Sequence, residues 1–537
     1  MFGLDRKKME EERLARLAKK RKRDGSISPP PMKREKKVSQ EQSEASSAKS
    51  YSSTHIPLND QHSSASVVES THNHDIDLSI SCSKPPHDAS NTETIVSIPN
   101  EKSAPNLQFP QGIIKRTWSV NHPRHNDIKI EEVLLKDKLK TAVFSSFLWD
   151  REWLFTKVNP SKTRIIFVMG TESDVTRHEQ EVQAAELGVK MCFARLPQGT
   201  FSKMHSKLML LFYDNFLRIV IPTANLMHYD WGETGFMENM VFLIDLPRRA
   251  DGKCGSKEDL TFFGQELLYF LEQLDLWDKA RDGILNFDFS QTKNMAFIHS
   301  IAGTHFGQEM QRTGYIGLGR AIRQLGLQTS NIKLDFASAS IGSLDLKTVS
   351  NFYHSCRGTP VGNLGSQNSS LAQQQFRIYF PTVDTVRDSM GGFPNAGTIC
   401  IQRKWWERKD FPRSMFDDYQ SVREGMLSHN KILFARGSRQ ASLDRQVSWV
   451  YVGSANLSSS AWGKLTHDRQ KRDDKLTCAN WECGVVVVGN TSDGQERLTD
   501  ESLHSAFSGI IDVPFKEPAK PYKHSMEPWY FLEHVDN

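Results

Sequence analysis

One pattern is written twice in this chain, and it constrains the fold more than any other feature. The first copy reads Met204-His205-Ser206-Lys207-Leu208-Met209-Leu210, then Pro222-Thr223-Ala224-Asn225-Leu226, then Asp230-Trp231-Gly232. The second reads Ser428-His429-Asn430-Lys431-Ile432-Leu433, then Gly453-Ser454-Ala455-Asn456-Leu457, then Ala461-Trp462-Gly463. His to Asn spans 20 residues in the first copy and 27 in the second, whereas Asn to Trp spans 6 in both. A fainter echo follows, Met237-Glu238-Asn239-Met240-Val241 against Trp481-Glu482-Cys483-Gly484-Val485. Its Glu lies 13 and 26 residues past the Asn, so insertions separate the copies. A lone H-x-K carries almost no information. Two copies, each followed by Thr/Ser-Ala-Asn-Leu and Trp-Gly, mark an internal duplication.

The local geometry follows from strand periodicity. H-x-K leading into apolar residues reads as a strand entering a core, and alternation puts His205 and Lys207 on one face, as it does His429 and Lys431. Each Asn closes a second apolar run, 217–221 in one copy and 447–452 in the other. Each half therefore offers an imidazole, an ammonium and a carboxamide at strand ends. Two halves joined about a pseudo-twofold axis would make one site with two of each. That set suits phosphodiester chemistry. Lysines neutralise the nonbridging oxygens and amides donate further hydrogen bonds. One neutral imidazole attacks phosphorus, and the other, charged, protonates the leaving oxygen. No metal or other cofactor is expected, because the lysines supply the positive charge. A carboxylate beside an imidazole would fix its tautomer, and Glu238 and Glu482 are the candidates.

From Ile113 onward, short apolar runs alternate with helical stretches. Arg164-Ile165-Ile166-Phe167-Val168-Met169-Gly170 reads as a buried strand, 179–187 as a helix and 189–194 as another strand. The alternation predicts α/β layers around largely buried sheets.

Charge separates the rest of the chain. The 537 residues hold 68 Lys+Arg and 64 Asp+Glu, a net of +4, yet residues 1–37 alone carry 14 Lys/Arg against 6 Asp/Glu. Lys19-Lys20-Arg21-Lys22-Arg23 and Lys33-Arg34-Glu35-Lys36-Lys37, with a Ser/Pro spacer, read as a bipartite nuclear localisation signal for an import receptor. Residues 38–105 hold 17 Ser, 4 Thr and one aromatic, Tyr51, a composition that predicts disorder. No run approaches the ~18 apolar residues of a membrane span, and the amino terminus lacks a secretory core. Seven cysteines without a C-x-x-C pair argue against a disulfide framework or zinc ribbon and for a reducing compartment. The core is then net negative, so the positive charge a nucleic acid requires must be local; Lys203, Lys333, Arg403 and Lys404 are candidates.

The duplicated H-x-K…N arrangement resembles the phospholipase D superfamily. The usual superfamily pattern adds an Asp five residues after each Lys; Phe212 and Arg436 stand there instead. That departure is typical of one branch, the tyrosyl-DNA phosphodiesterases. Phe201 before the first His, Ala337-Ser338-Ala339-Ser340-Ile341-Gly342-Ser343-Leu344, Ser454-Ala455-Asn456-Leu457-Ser458 and Glu527-Pro528-Trp529 are similar to that branch too. The resemblance covers roughly residues 113–537. It implies two similar α-β-α sandwich lobes, 106–295 and 296–537, after a tail of residues 1–105, in a monomer acting in the nucleus. It implies His205 as nucleophile, His429 as general acid then base, and Lys207, Lys431, Asn225 and Asn456 as phosphate ligands. Glu482 would orient the nucleophilic His, with Glu238 near the opposite partner. Phe201 would stack on a DNA base, and Ser340, Ser343 and Ser458 would donate to DNA phosphates. The implied substrate is a DNA 3′ end carrying a tyrosyl peptide, a topoisomerase I remnant, cleaved through a phosphohistidine to a 3′-phosphate. Two other readings are another nuclease or lipid phosphodiesterase of the superfamily, and a catalytically inactive DNA-binding scaffold.

Overall fold

The computed structural model describes residues 107–534, apart from 172–173, 198–201, 367–368, 441, 494–498, 500 and 524. The basic tail with its nuclear signal, the Ser-rich stretch and Phe201 lie outside the described residues. Residues 98–537 form one compact unit.

Its described strands fall into two sets. The first comprises β1 (Ile113–Thr117), β2 (Asp127–Ile128), β3 (Thr141–Ser145), β4 (Arg164–Gly170), β5 (Val189–Ala194), β6 (Lys203–Met204), β7 (Leu208–Phe212), β8 (Phe216–Pro222), β9 (Met237–Glu238) and β10 (Met240–Pro247). The second comprises β11 (Met295–Ser300), β12 (Gly303–Phe306), β13 (Thr329–Ser338), β14 (Phe376–Phe380), β15 (Phe416–Asp418), β16 (Leu427–Ser428), β17 (Lys431–Arg439), β18 (Ser442–Gly453), β19 (Lys464–Asp468), β20 (Asp473–Cys478), β21 (Asn480–Asp493) and β22 (Lys520–Pro521).

Two large sheets result, ordered β2-β1-β10-β8-β7-β3-β4-β5 and β11-β21-β18-β17-β13-β14-β15-β22. Leaving out the edge strands β2 and β22, the orders match position by position. The senses match too: β7 and β17 pair antiparallel with β3 and β13, which pair parallel with β4 and β14. The duplication in the sequence is thus a duplication of a seven-strand sheet.

Alternation along the central strands sets the layers. Leu208 and Leu210 of β7 enter a central core, whereas Met209 and Leu211 enter an outer one. In β17, Ile432 and Phe434 join the same central core, while Leu433 and Ala435 face a second outer core. The sheets therefore share one central core, to which the helix Phe262–Gln273 also contributes Phe263, Leu267 and Phe270, and each outer face is covered by helices. Trp153 and Leu154 of the helix Arg151–Lys157 cover the first, and Val349 and Phe352 of the helix Leu346–Cys356 the second. A strand buried on both faces reads as a continuous apolar run, which is why 164–170 is legible as β4, whereas β5 over 189–194 exposes Lys190 and is legible from its remaining apolar residues. The helix expected over 179–187 runs Asp174–Glu186. Its first turns, with Thr176, Arg177 and His178, carry no apolar spacing to betray them.

Candidate active site

The two short strands before the H-x-K motifs decide where the histidines sit. Strand β6 pairs in parallel with the start of β21, Lys203 with Asn480 and Met204 with Trp481. The His205 N–H then donates to the Trp481 carbonyl at 3.0 Å. Strand β16 pairs the same way with β9, Leu427 with Met237 and Ser428 with Glu238, and the His429 N–H donates to the Glu238 carbonyl at 3.0 Å. Each histidine is held by backbone from the other half of the chain.

Lys207 and Lys431 follow on the same strand faces, both with no exposed surface. The Lys207 ammonium donates to the His205 carbonyl at 2.9 Å, and the Lys431 ammonium donates to the His429 carbonyl. Among the described residues no carboxylate lies within ion-pair distance of either ammonium. Burial and the neighbouring lysine push Lys431 well below its ordinary value, and burial pushes Lys207 down to about 8. Two buried ammonium groups, with Glu482 and Asp230 near enough to act on both but neither within ion-pair distance, form a site for an anion.

The asparagines are placed by matching loops. Asn225 Oδ1 accepts the Leu148 N–H at 3.4 Å, and Asn456 Oδ1 accepts the Ser340 N–H at 2.9 Å. Ser146 and Ser338 hydroxyls accept the N–H groups of Leu226 and Leu457, the residues after each asparagine. With both carboxamide oxygens engaged inside their own halves, the NH₂ groups are the ends left to donate.

His205 Nδ1 lies 2.9 Å from Glu482 Oε2, so Nε2 is the nitrogen left for substrate. Ser454 also donates to that oxygen, and Asn480 Nδ2 donates to the other at 2.9 Å. Burial alone would raise the Glu482 carboxyl; His205, Lys207 and Ser454 hold it below the usual range. Burial lowers His205, with Glu482 opposing and Lys207 assisting. His429 is pushed further, well below its ordinary value, by burial and by the charges of Lys431, Lys207 and His205. These mutual effects join both motifs in one site.

The expected symmetry of Glu238 with Glu482 does not hold. The Thr223 N–H donates to the Met240 carbonyl at 2.8 Å, and the Met240 N–H donates back to the Thr223 hydroxyl at 3.0 Å. The Ser454 N–H donates to the Cys483 carbonyl at 2.8 Å, and the Cys483 N–H to the Ser454 hydroxyl at 3.0 Å. Met240 thus corresponds to Cys483 and Asn239 to Glu482, one residue off the sequence alignment. The Glu238 carboxylate accepts from Tyr419 at 3.1 Å and Ser421 at 2.7 Å instead, and burial raises its pKa.

The carboxylate facing His429 is Asp230, whose Oδ1 lies 3.5 Å from Nδ1. Asp230 is fully buried, accepts the Asn225 N–H at 2.8 Å and is held by Asn239 Nδ2 at 3.1 Å. Its signal in the sequence was a lone charge in the first Trp-Gly motif, where the second copy has Ala461. Phe147, 40% exposed, also went unnoticed; its ring centroid lies 5.1 Å from that of His205.

Of the expected DNA contacts, the Ser343 hydroxyl accepts from Arg408 and the Ser458 hydroxyl caps the helix Ser459–Trp462 by accepting the Ala461 N–H. Both keep an O–H to donate. Two cleft cations proposed from sequence are otherwise engaged: Lys333 donates to the Thr499 carbonyl, and Arg403 pairs with Glu527 and Glu533.

A family profile described as tyrosyl-DNA phosphodiesterase matches residues 113–523. Tyrosyl-DNA phosphodiesterase 1 of Drosophila melanogaster is 26% identical over 462 residues, covering 80% of this chain and 74% of that protein. The Arabidopsis thaliana protein of the same name is 25% identical over 451 residues, 75% of this chain and 71% of the relative. The crystal structure of yeast tyrosyl-DNA phosphodiesterase superposes with a TM-score of 0.55 at 19% identity, covering 78% of this chain and 100% of that one.

Proposed function

Because the chain belongs to the tyrosyl-DNA phosphodiesterase family, a family of DNA-repair hydrolases, we propose that it removes tyrosyl peptides from DNA 3′ ends by metal-independent covalent catalysis at the paired His, Lys and Asn residues. The observation that carries this reading is the His205–Glu482 pair bridging the two halves beside two buried lysines that make no ion pair among the described residues.

His205 Nε2 attacks phosphorus as the tyrosyl oxygen departs with a proton from His429. The P–O bond to tyrosine breaks and a P–N bond forms. Lys207 and Lys431 bind the nonbridging oxygens, where charge sits in the transition state, and the Asn225 and Asn456 amides donate to them. Glu482 stabilises the charge that His205 acquires. His429, now neutral, takes a proton from water, whose oxygen displaces His205 and leaves a 3′-phosphate. Asp230, 3.5 Å from His429 Nδ1 but not hydrogen-bonded to it and itself raised by burial, is the nearest carboxylate to a protonated His429. The lowered pKa of His205 keeps the nucleophile neutral at pH 7, and the arriving phosphodiester anion restores the proton affinity of His429 that burial removed. Phe201 and the Ser340, Ser343 and Ser458 hydroxyls hold the DNA strand. Action in the nucleus, a basic tail read by an import receptor, a monomeric state and lobes at 106–295 and 296–537 complete the reading.

A single-stranded oligonucleotide carrying a 3′-phosphotyrosine, incubated in EDTA, tests it. Release of tyrosine and a 3′-phosphate end is expected; no turnover would leave the scaffold or lipid phosphodiesterase reading. His205→Ala should form no protein–DNA adduct, and His429→Ala should accumulate one. The reverse outcome would exchange the two roles.

A further inference from the structure

The chain between Asn456 and Glu482 leaves the site and returns to it. After the helix Ser459–Trp462, strands β19 and β20 form a hairpin, and β21 then brings in Glu482. Backbone bonds pin the far root of the hairpin to the site: the Ala479 N–H donates to the Ser460 carbonyl at 3.1 Å, and the Ala479 carbonyl accepts from Lys203 at 3.2 Å. Strand β12 pairs with β20 to complete a small third sheet.

The two faces of that sheet differ. Leu465, Leu476 and Cys478 pack into the outer core of the second half. The opposite face carries Lys464 and Lys475, with Phe306 beside Lys475 on the neighbouring strand. Beyond it, the turn Arg469-Gln470-Lys471-Arg472 is exposed throughout, and the Lys471 ammonium stands 3.8 Å over the Phe306 ring. The acids here are Asp468, which pairs with Lys475, Asp474, which pairs with His467, and Asp473. Lys464, Arg469, Lys471 and Arg472 face water with no carboxylate in ion-pair range among the described residues. The hairpin thus gathers four such cations on an element whose ends lead directly to Asn456 and Glu482.

We infer that this hairpin grips the sugar–phosphate backbone of the substrate DNA several nucleotides from the reacting 3′ end. Five residues of strand from Lys464 to Arg469 span about 17 Å, or about five steps of a nucleic-acid strand. The inference rests on the proposed function, since it takes DNA as the polyanion that leaves the site. The contacts are to phosphate, so they add affinity and salt dependence without sequence preference.

The test uses the full chain with Arg469→Gln, Lys471→Gln and Arg472→Asn combined; Asn suits the left-handed conformation of Arg472, φ 52°. Three 3′-substrates are compared: thymidine 3′-(p-nitrophenyl phosphate), and phosphotyrosyl oligonucleotides of about 4 and about 20 nucleotides. On the longest, kcat/KM should fall about tenfold at low salt, and the slope of log kcat/KM against log salt should lessen by about 2, from roughly 0.7 per lost phosphate contact. The mononucleotide should be cleaved as by the wild type. An unchanged salt slope on the long substrate, or an equal loss on all three, overturns the inference. Failure of the wild type to cleave any of the three substrates would instead overturn the proposed function.

Discussion

Lys207 shows at the scale of a single side chain what this site costs the fold. Its ammonium is wholly buried and makes no ion pair among the described residues, and burial, opposed by Glu482 and Asp230, brings its pKa from 10.5 to about 8. Below pH 8 both folded and unfolded chains carry the charge, and the folded one bears a penalty of about 3 kcal/mol. Between pH 8 and 10.5 the folded chain releases the proton first, so this penalty fades as pH rises. Lys207→Met should therefore abolish turnover yet raise unfolding stability at pH 7 by up to about 3 kcal/mol, read by urea denaturation, and flatten the rise of stability above pH 8. Glu482 acts in the opposite sense on His205, raising a pKa that burial lowers. In Glu482→Gln the pKa of His205 drops further, so the acid limb of the kcat/KM profile should move to lower pH. Turnover should fall about 10²- to 10⁴-fold as the ring loses its orienting charge. An acid limb that moved to higher pH would refute the assignment of His205 as the neutral nucleophile.

Among the elements, the antiparallel pairing of β18 with β21 supports the site closely. A Cβ on Gly484 would meet Tyr451 Cε2 at 2.1 Å, and Tyr451 is held in place because its hydroxyl accepts the Ala455 N–H at 3.3 Å. Gly484→Ala must push Tyr451 against the loop that presents Asn456. It should cost about 1–3 kcal/mol in stability and lower kcat/KM, whereas Gly362→Ala, with nothing within 4 Å, should do neither. Equal melting temperatures for the two variants would show that the pairing tolerates a methyl group. The apolar runs of β4, of β8 and of 447–452 in β18 were legible in the sequence because a stretch buried on both faces has little polar alternation. The exposed opening turns of the helix Asp174–Glu186 and the two-residue strands β6, β9 and β16 were not, since they are too polar or too short for a pattern to register.

At the scale of the described residues, the chemistry sits on a core shared by the two sheets, and the basic tail precedes the described residues. Deleting residues 1–105 should leave kcat/KM on a 3′-phosphotyrosyl oligonucleotide within about twofold, a difference near 0.4 kcal/mol, and should abolish nuclear accumulation of a fluorescent fusion. A large loss of turnover in the truncated protein would give the tail a part in substrate binding. The chain by itself determined the reactive groups and their duplication, because His, Lys and Asn at fixed offsets on a strand are chemistry that spacing alone preserves. Tertiary structure decided which group meets which. Backbone pairing between halves joins N–H to C=O whatever the side chains, so a one-residue slip leaves no trace in the letters. Yet that slip sets Asn239 opposite Glu482, turns Glu238 toward Tyr419 and Ser421, and gives His429 its carboxylate from Asp230.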